Sequence, residues 1–211
     1  MTSIQLLSAF ENPVQDAQVV FRALLKSMSE PGTPGTTNSM DLPGMGPDTQ
    51  IHASTWAIAQ ALFDYDTSVY LSANMHTESL AKSIQFQTDA GITEHIENAD
   101  FAIISIEELT DLTRFNPGSI EAPHESCTLV IQVQGFNETN AFEIRGPGIK
   151  GSRMISIDGL TKTQHDMIMA NQQLYPCGVD LIFCAPTEFI ALPRTTRLVP
   201  ASQDQGEPVC M

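Results

Sequence analysis

Ala99–Ser105 reads ADFAIIS, a short and nearly unbroken apolar run. A run of this length reads as a strand, and the missing polar alternation marks one buried on both faces. A strand covered on both sides needs a layer above and a layer below, which points to a sheet dressed with helices.

The neighbouring segments fit that frame. Upstream, Ser68–Ser72 (SVYLS) reads as a strand after the Asp64-Tyr65-Asp66 turn. Thr77–Phe86 reads as an amphipathic helix with Leu80, Ile84 and Phe86 inward. Ser54 is expected to cap a short apolar helix that runs through Trp56 to Phe63. Asn12-Pro13 opens a first helix, with Asn as N-cap and Pro at the first helical position. Its stripe is Val20, Phe21, Leu24, Leu25 and Met28, and it stops before Pro31.

Downstream, Ser105-Ile106-Glu107-Glu108 reads as a capping box that starts a short helix. Cys127–Val133 (CTLVIQV) and Ala141–Ile144 (AFEI) read as an antiparallel hairpin, and Met154–Ile157 as a short strand. Thr163–Leu174 reads as a helix. Val179–Cys184 and Glu188–Leu192 form a strand pair around Ala185-Pro186. The sum is a single α/β domain over residues 1–200, with a mixed β-sheet flanked by helices. Residues 31–50 hold four prolines and four glycines, which excludes regular structure there. Residues 201–211 are polar and unpatterned and read as a disordered tail.

Composition removes several function classes. The 211 residues carry 25 acidic against 10 basic side chains, a net charge of −15. Such a surface repels phosphate backbones and anionic lipid, so neither nucleic acid nor membrane is an expected partner. No apolar run reaches the length of a span. Cys127, Cys177, Cys184 and Cys210 show no C-x-x-C spacing and read as reduced thiols, consistent with a cytoplasmic protein.

Chemistry-bearing patterns are few. Arg145-Gly146-Pro147-Gly148-Ile149 follows a strand. The Rossmann spacing is not completed and Pro147 removes an amide donor, so a structural turn stands beside a phosphate or partner contact. Leu192-Pro193-Arg194-Thr195-Thr196-Arg197 concentrates two of six arginines in an acidic chain. Gly146, Gly148, Arg194 and Thr195 are therefore the candidate anion or partner contacts. For Arg194 the alternative is an internal carboxylate pair. His52, His76, His95, His124 and His165 show no metal-ligand spacing, and no catalytic triad pattern is present. Lys26, Lys82, Lys150 and Lys162 lie in no recognisable Schiff-base context, so no catalytic residue, metal or cofactor is expected.

Several segments together resemble one family. They are Phe21-Arg22 with Met28-Ser29-Glu30-Pro31-Gly32, Phe86-Gln87-Thr88 with Ala99-Asp100-Phe101-Ala102, and Gly118 through Pro123 to Thr128-Leu129-Val130-Ile131. Gly146-Pro147-Gly148-Ile149, Asn171, Pro176-Cys177-Gly178-Val179-Asp180-Leu181 and Ala191-Leu192-Pro193-Arg194-Thr195-Thr196 complete the set. The chain resembles the PhnH family, the H subunits of the carbon–phosphorus lyase core complex.

That resemblance implies a role in phosphonate catabolism, beside sister subunits G, I, J and L. Together they transfer a phosphonate onto the ribose of ATP with loss of adenine; radical cleavage belongs to subunit J. It further implies a homodimer, a fold like the major domain of pyridoxal-phosphate-dependent transferases without the cofactor, and an accessory subunit inactive alone. The alternative is an independent small-molecule enzyme or binding protein that holds a phosphate or phosphonate. Two positions depart from the family pattern: Asp89 replaces a glycine, and Tyr175 stands where Phe is usual.

Overall fold

The computed structural model describes residues 5–37, 50–137 and 141–199. Four helices and ten strands occur there: α1 (Pro13–Ser29), β1 (Gly35–Thr36), α2 (Ala53–Leu62), β2 (Ser68–Leu71), α3 (Glu78–Thr88), β3 (Gly91–Thr93), β4 (Phe101–Ser105), β5 (Thr128–Gln132), β6 (Phe142–Arg145), β7 (Arg153–Ile155), α4 (Lys162–Gln172), β8 (Asp180–Cys184), β9 (Glu188–Leu192) and β10 (Arg197–Val199). Seven strands form the main sheet in the order β1-β9-β8-β5-β4-β2-β3. From β8 to β3 all neighbours are parallel, and β9 runs antiparallel to both β8 and β1. The remaining three strands make a small antiparallel sheet, β10-β6-β7.

The central strands are buried on both faces by the simple alternation of side chains. Ile103, Val130 and Ile182 point to one face, where they meet Val20 and Leu24 of α1, Trp56 and Ile58 of α2, and Leu80 and Ile84 of α3. Ala102, Ile104, Leu129, Ile131, Leu181 and Phe183 point to the other. There the cover is Ile168 of α4, Ile144 of the small sheet, and Ile106, Leu109 and Leu112 of two 3-10 turns. The expected mixed α/β architecture is what the chain adopts.

Several local readings need correction. CTLVIQV and AFEI do not pair: β5 lies between β4 and β8 in the main sheet, and β6 belongs to the small one. A polar loop between two apolar runs suggests a hairpin, but β5 is buried on both faces and is satisfied by parallel neighbours. Ser105–Glu108 forms only a 3-10 turn, and the Ser105 hydroxyl donates to the Glu108 carboxylate instead of accepting a backbone N–H. Ser54 sits inside α2, which starts at Ala53 behind His52; its hydroxyl donates to the Ala185 carbonyl. Asn12 precedes α1 but makes no side-chain cap. Phe21 and Leu25 are exposed on α1, and Phe86 is 70% exposed on α3. The Pro/Gly stretch includes the two-residue strand β1. Its residues 38–49, the tail 201–211 and Cys210 lie outside the described residues.

Asp89, the position that departs from the family glycine, ends α3 with φ +60° and ψ 5°. That is the left-handed conformation a helix-terminating glycine normally supplies, and Asp tolerates it better than most side chains.

Candidate functional site

The segment after β9 is pinned before it can serve any ligand. Arg194 N–H donates to Asp180 Oδ1 at 2.7 Å, and its guanidinium reaches Oδ1 at 3.2 Å through Nε and Oδ2 at 2.6 Å through Nη2. Nη1 donates to the carbonyls of Pro123 at 2.7 Å and Pro176 at 3.4 Å, and Nη2 to the Ser126 hydroxyl. Both side chains of the ion pair are 14% exposed. The guanidinium thus fastens the start of β8, the segment before β5 and the turn at Pro176. Its donor fork is committed inside the chain.

Gly146 and Thr195 meet directly. Gly146 has φ +151°, and a Cβ there would lie 2.9 Å from the Thr195 carbonyl. Only glycine lets the end of β6 come this close to the turn after β9. Gly148 is turned elsewhere: a Cβ on it would lie 1.8 Å from the Ser29 carbonyl, so it seats the loop against the end of α1. The structure brings Gly146, Arg194 and Thr195 to one cleft and leaves Gly148 outside it.

That cleft has a volume of about 640 Å³ and is also lined by Arg145, Gln172, Tyr175 and Arg197. Arg197 opens β10 directly opposite Arg145 on β6. Like charges facing each other across a strand pair are destabilising. Glu143 answers one of them, at 2.7 Å from Arg145 Nη2. Arg197 has no ion-pair partner among the described residues. Gln172, on the last turn of α4, accepts from the Leu198 N–H at 3.3 Å through Oε1, while its Nε2 is buried without a partner among the described residues. An unanswered guanidinium on Arg197, beside Arg145 paired with Glu143 and the orphaned Gln172 amide donor, makes a surface that suits an anion.

The sequence concentrates arginines near Arg194 but does not reveal which is engaged. The pairing of Arg197 with Arg145 depends on the β10–β6 register. Gln172 lies on the helical stripe with His165, Ile168 and Met169, and nothing in that spacing says that its amide stays unpaired.

Other chemistry-bearing groups are placed as follows. Lys26, Lys82, Lys150 and Lys162 are all exposed. Cys127 and Cys184 are buried and Cys177 half-buried. Burial pushes both buried thiols up to about 12, with the charge of Asp100 adding to the effect at Cys127. No group of three or more His, Cys, Asp or Glu side chains converges to hold a metal among the described residues. None of the described helices is long and apolar enough to cross a membrane.

Comparison with known proteins gives a consistent answer. The family model described as "Bacterial phosphonate metabolism protein (PhnH)" matches residues 8–199. A relative from Rhizobium meliloti (strain 1021), alpha-D-ribose 1-methylphosphonate 5-triphosphate synthase subunit PhnH, is 34% identical over 191 residues, 90% of this chain and 94% of its own. A putative C-P lyase subunit protein, HtxG of Stutzerimonas stutzeri, is 30% identical over 103 residues, 49% of this chain and 52% of its own.

Proposed function

This chain belongs to the PhnH family of bacterial phosphonate metabolism proteins, and on that premise we propose that it is an accessory, non-catalytic subunit of the carbon–phosphorus lyase machinery. In that role it supports formation of alpha-D-ribose 1-methylphosphonate 5-triphosphate from ATP and methylphosphonate. The observation that carries this reading is the reach of the match: it spans the described fold from before α1 through β10 and nearly the whole length of a relative named as a subunit of that synthase.

The partners that follow are sister subunits G, I, J and L, together with a second copy of the chain, in the cytoplasm. Val14, Phe21 and Leu25 form an exposed apolar stripe on α1, which supports a self-complementary dimer face. The seven-stranded, mostly parallel sheet flanked by helices is compatible with a likeness to the major domain of pyridoxal-phosphate-dependent transferases. Residues 1–200 serve as the family domain and 201–211 as a tail. The Arg145–Arg197 cleft contacts an anion, either a carboxylate-bearing partner surface or a phosphorylated ligand.

The test is growth on methylphosphonate of a phosphonate-using bacterium that lacks its own H subunit. The intact chain restores growth in this reading, and an otherwise complete operon that still fails with it refutes the assignment. A second reading, a free-standing enzyme or binding protein for a phosphate or phosphonate, is favoured by the orphaned Gln172 amide in the cleft. Turnover of ATP and methylphosphonate by the isolated chain, at the rate of the full assembly, would establish it instead.

A further inference from the structure

The backbone around the arginine cleft has few donors left to give. The N–H of Arg194 goes to Asp180, that of Thr196 to the Pro193 carbonyl at 2.8 Å, that of Leu198 to Gln172 Oε1 at 3.3 Å and that of Ile149 to the Gly146 carbonyl at 3.2 Å. Pro147 has none. A bound phosphate is ordinarily cradled by several backbone amides or by a helix N-terminus. Here α4 reaches the cleft with its last residue, Gln172, and so brings the negative end of its dipole.

The side chains narrow the choice further. Arg145 is closed on Glu143 through Nε at 2.8 Å and Nη2 at 2.7 Å. One guanidinium, Arg197, and one amide donor, Gln172 Nε2, remain without partners among the described residues. A single planar positive fork matches a carboxylate, whereas a doubly charged phosphate would meet the Glu143 carboxylate with one positive charge to offset it. The cleft of about 640 Å³ is far larger than one carboxylate, so whatever carries the carboxylate also enters it. The crevice at the carboxyl ends of the parallel strands, about 290 Å³ and lined by Glu107, has no lysine or arginine in its wall, and Glu108 is held beneath it by Ser72 and Asn74. It offers an anion nothing.

An apolar rim stands beside the cleft. Arg194 Nη1 joins the carbonyls of Pro123 and Pro176, which holds the segment carrying Ile120 beside the one carrying Leu174 and Tyr175. All three side chains are half exposed or more, and Tyr175 lines the cleft itself. Exposed apolar groups around a tyrosine and an arginine are the composition of a protein interface. β10 is an edge strand, but Gln172 already takes the Leu198 N–H, so the partner docks side chains there and adds no strand. The apolar stripe of α1 lies across the main sheet, so pairing of two copies through it leaves the cleft open.

We propose that the Arg197 cleft, with the Tyr175–Leu174–Ile120 rim, docks a segment of a sister subunit that presents one Asp or Glu carboxylate beside apolar side chains. This rests on the subunit reading and decides between its two kinds of anion.

The test measures binding of the full-length chain to an assembly of the sister subunits purified without it. Arg197→Ala should bind about tenfold more weakly and Arg197→Glu at least about a hundredfold, because the reversed charge repels the partner carboxylate. Tyr175→Ser should weaken binding about tenfold. The salt dependence of the parent should flatten in Arg197→Ala, a change that loss of packing alone does not produce. Inorganic phosphate and pyrophosphate should give the isolated chain no saturable rise in melting temperature. If the parent does not bind the assembly, the subunit reading falls and this inference falls with it. If the parent binds and folded Arg197→Glu binds equally well, the docking site alone is overturned. Saturable phosphate binding that Arg197→Ala abolishes would overturn it in favour of a phosphorylated ligand. An altered oligomeric state of isolated Arg197→Glu would overturn it in favour of a second copy.

Discussion

Replacing Arg194 by Ala tests how the molecule is held together at the amino ends of its parallel strands. The substitution deletes two contacts to Asp180, at 2.6 and 3.2 Å, and those to Pro123, Pro176 and Ser126. Only the backbone N–H of residue 194 would still reach the carboxylate, at 2.7 Å. Asp180 would be left as a mostly buried charge with a single donor. Breaking a buried pair from one side costs about 3–5 kcal/mol, a large share of the roughly 5–15 kcal/mol that holds a domain folded. At about 2–4 °C per kcal/mol for a chain of this size, Tm should fall by about 6–20 °C. Arg194→Lys keeps the charge but not the fork, so it should recover only part of the loss. Asp180→Asn combined with Arg194→Ala should cost less than the two single losses added, because the doubly altered chain carries no stranded charge. Denaturant unfolding and thermal melts of the four proteins give the cycle. A normal melt for Arg194→Ala, with intact assembly and lost phosphonate activity, would refute this reasoning and make Arg194 a ligand group.

Asp89→Gly should raise stability by about 0.5–1 kcal/mol, because glycine occupies φ +60° without strain; an unchanged or lower denaturation midpoint would show that Asp89 is held by something other than its backbone. In a Cys210→Ser background, a thiol reagent should label Cys177 in the native protein and reach Cys127 and Cys184 only on unfolding, since burial holds their thiols protonated. Burial pushes the Glu108 carboxyl up, but its hydrogen bonds from Ser72, Asn74 and Ser105 together outweigh this and hold it below its ordinary value of 4.5. Its contribution is thus fully present above that value and lost as pH falls through the lowered one. The stability gap between the parent and Glu108→Gln should narrow on acidification, and a gap constant down to the acid transition would contradict it.

The fold was legible where burial wrote itself into the chain. ADFAIIS and VDLIFC read as strands because both of their faces are covered, and α1 was readable from Pro13, its apolar stripe and the stop before Pro31. Pairing was not legible. β5 and β6 are consecutive apolar runs, but their partners are set by a parallel crossover and by the late strand β10, neither of which has a local signature. Phe21, Leu25 and Phe86 looked like core because periodicity records hydrophobicity and not what covers it; on α1 the stripe is wider than the face the sheet can bury. At the candidate site, Arg194 and Gly146 stood out by residue type in an acidic chain. Arg197 against Arg145 required register, and Glu108 with Ser72 and Asn74 required knowing that β2 and β4 are adjacent. An acidic residue one turn past a strand reads as a cap until its neighbour across the sheet is known.

The charge distribution separates the two ends of this sheet. Arg194 meets Asp180 at the start of β8, so the arginine cleft stands at the amino ends of the parallel strands. Ser72, Ser105 and Gln132 follow or end β2, β4 and β5, so the acidic crevice stands at the carboxyl ends. Five residues of strand separate them, roughly 17 Å at 3.3 Å per residue. In a chain with 25 carboxylates and 10 basic groups, two arginines facing each other at one end are an expense that general solubility does not require. Conversely, a lysine-free, acceptor-rich cavity at the other end excludes the anions that the arginine cleft attracts. Because that distance exceeds the ~8 Å screening length at physiological salt, a charge change at one end leaves the potential at the other nearly untouched. Arg197→Glu should therefore weaken anion or partner contact at the cleft while melting near the parent, because Arg197 has no ion-pair partner among the described residues to lose. Glu107→Gln, at the other end, should leave that contact unchanged, and its loss in a folded Glu107→Gln variant would mean that the two ends are coupled.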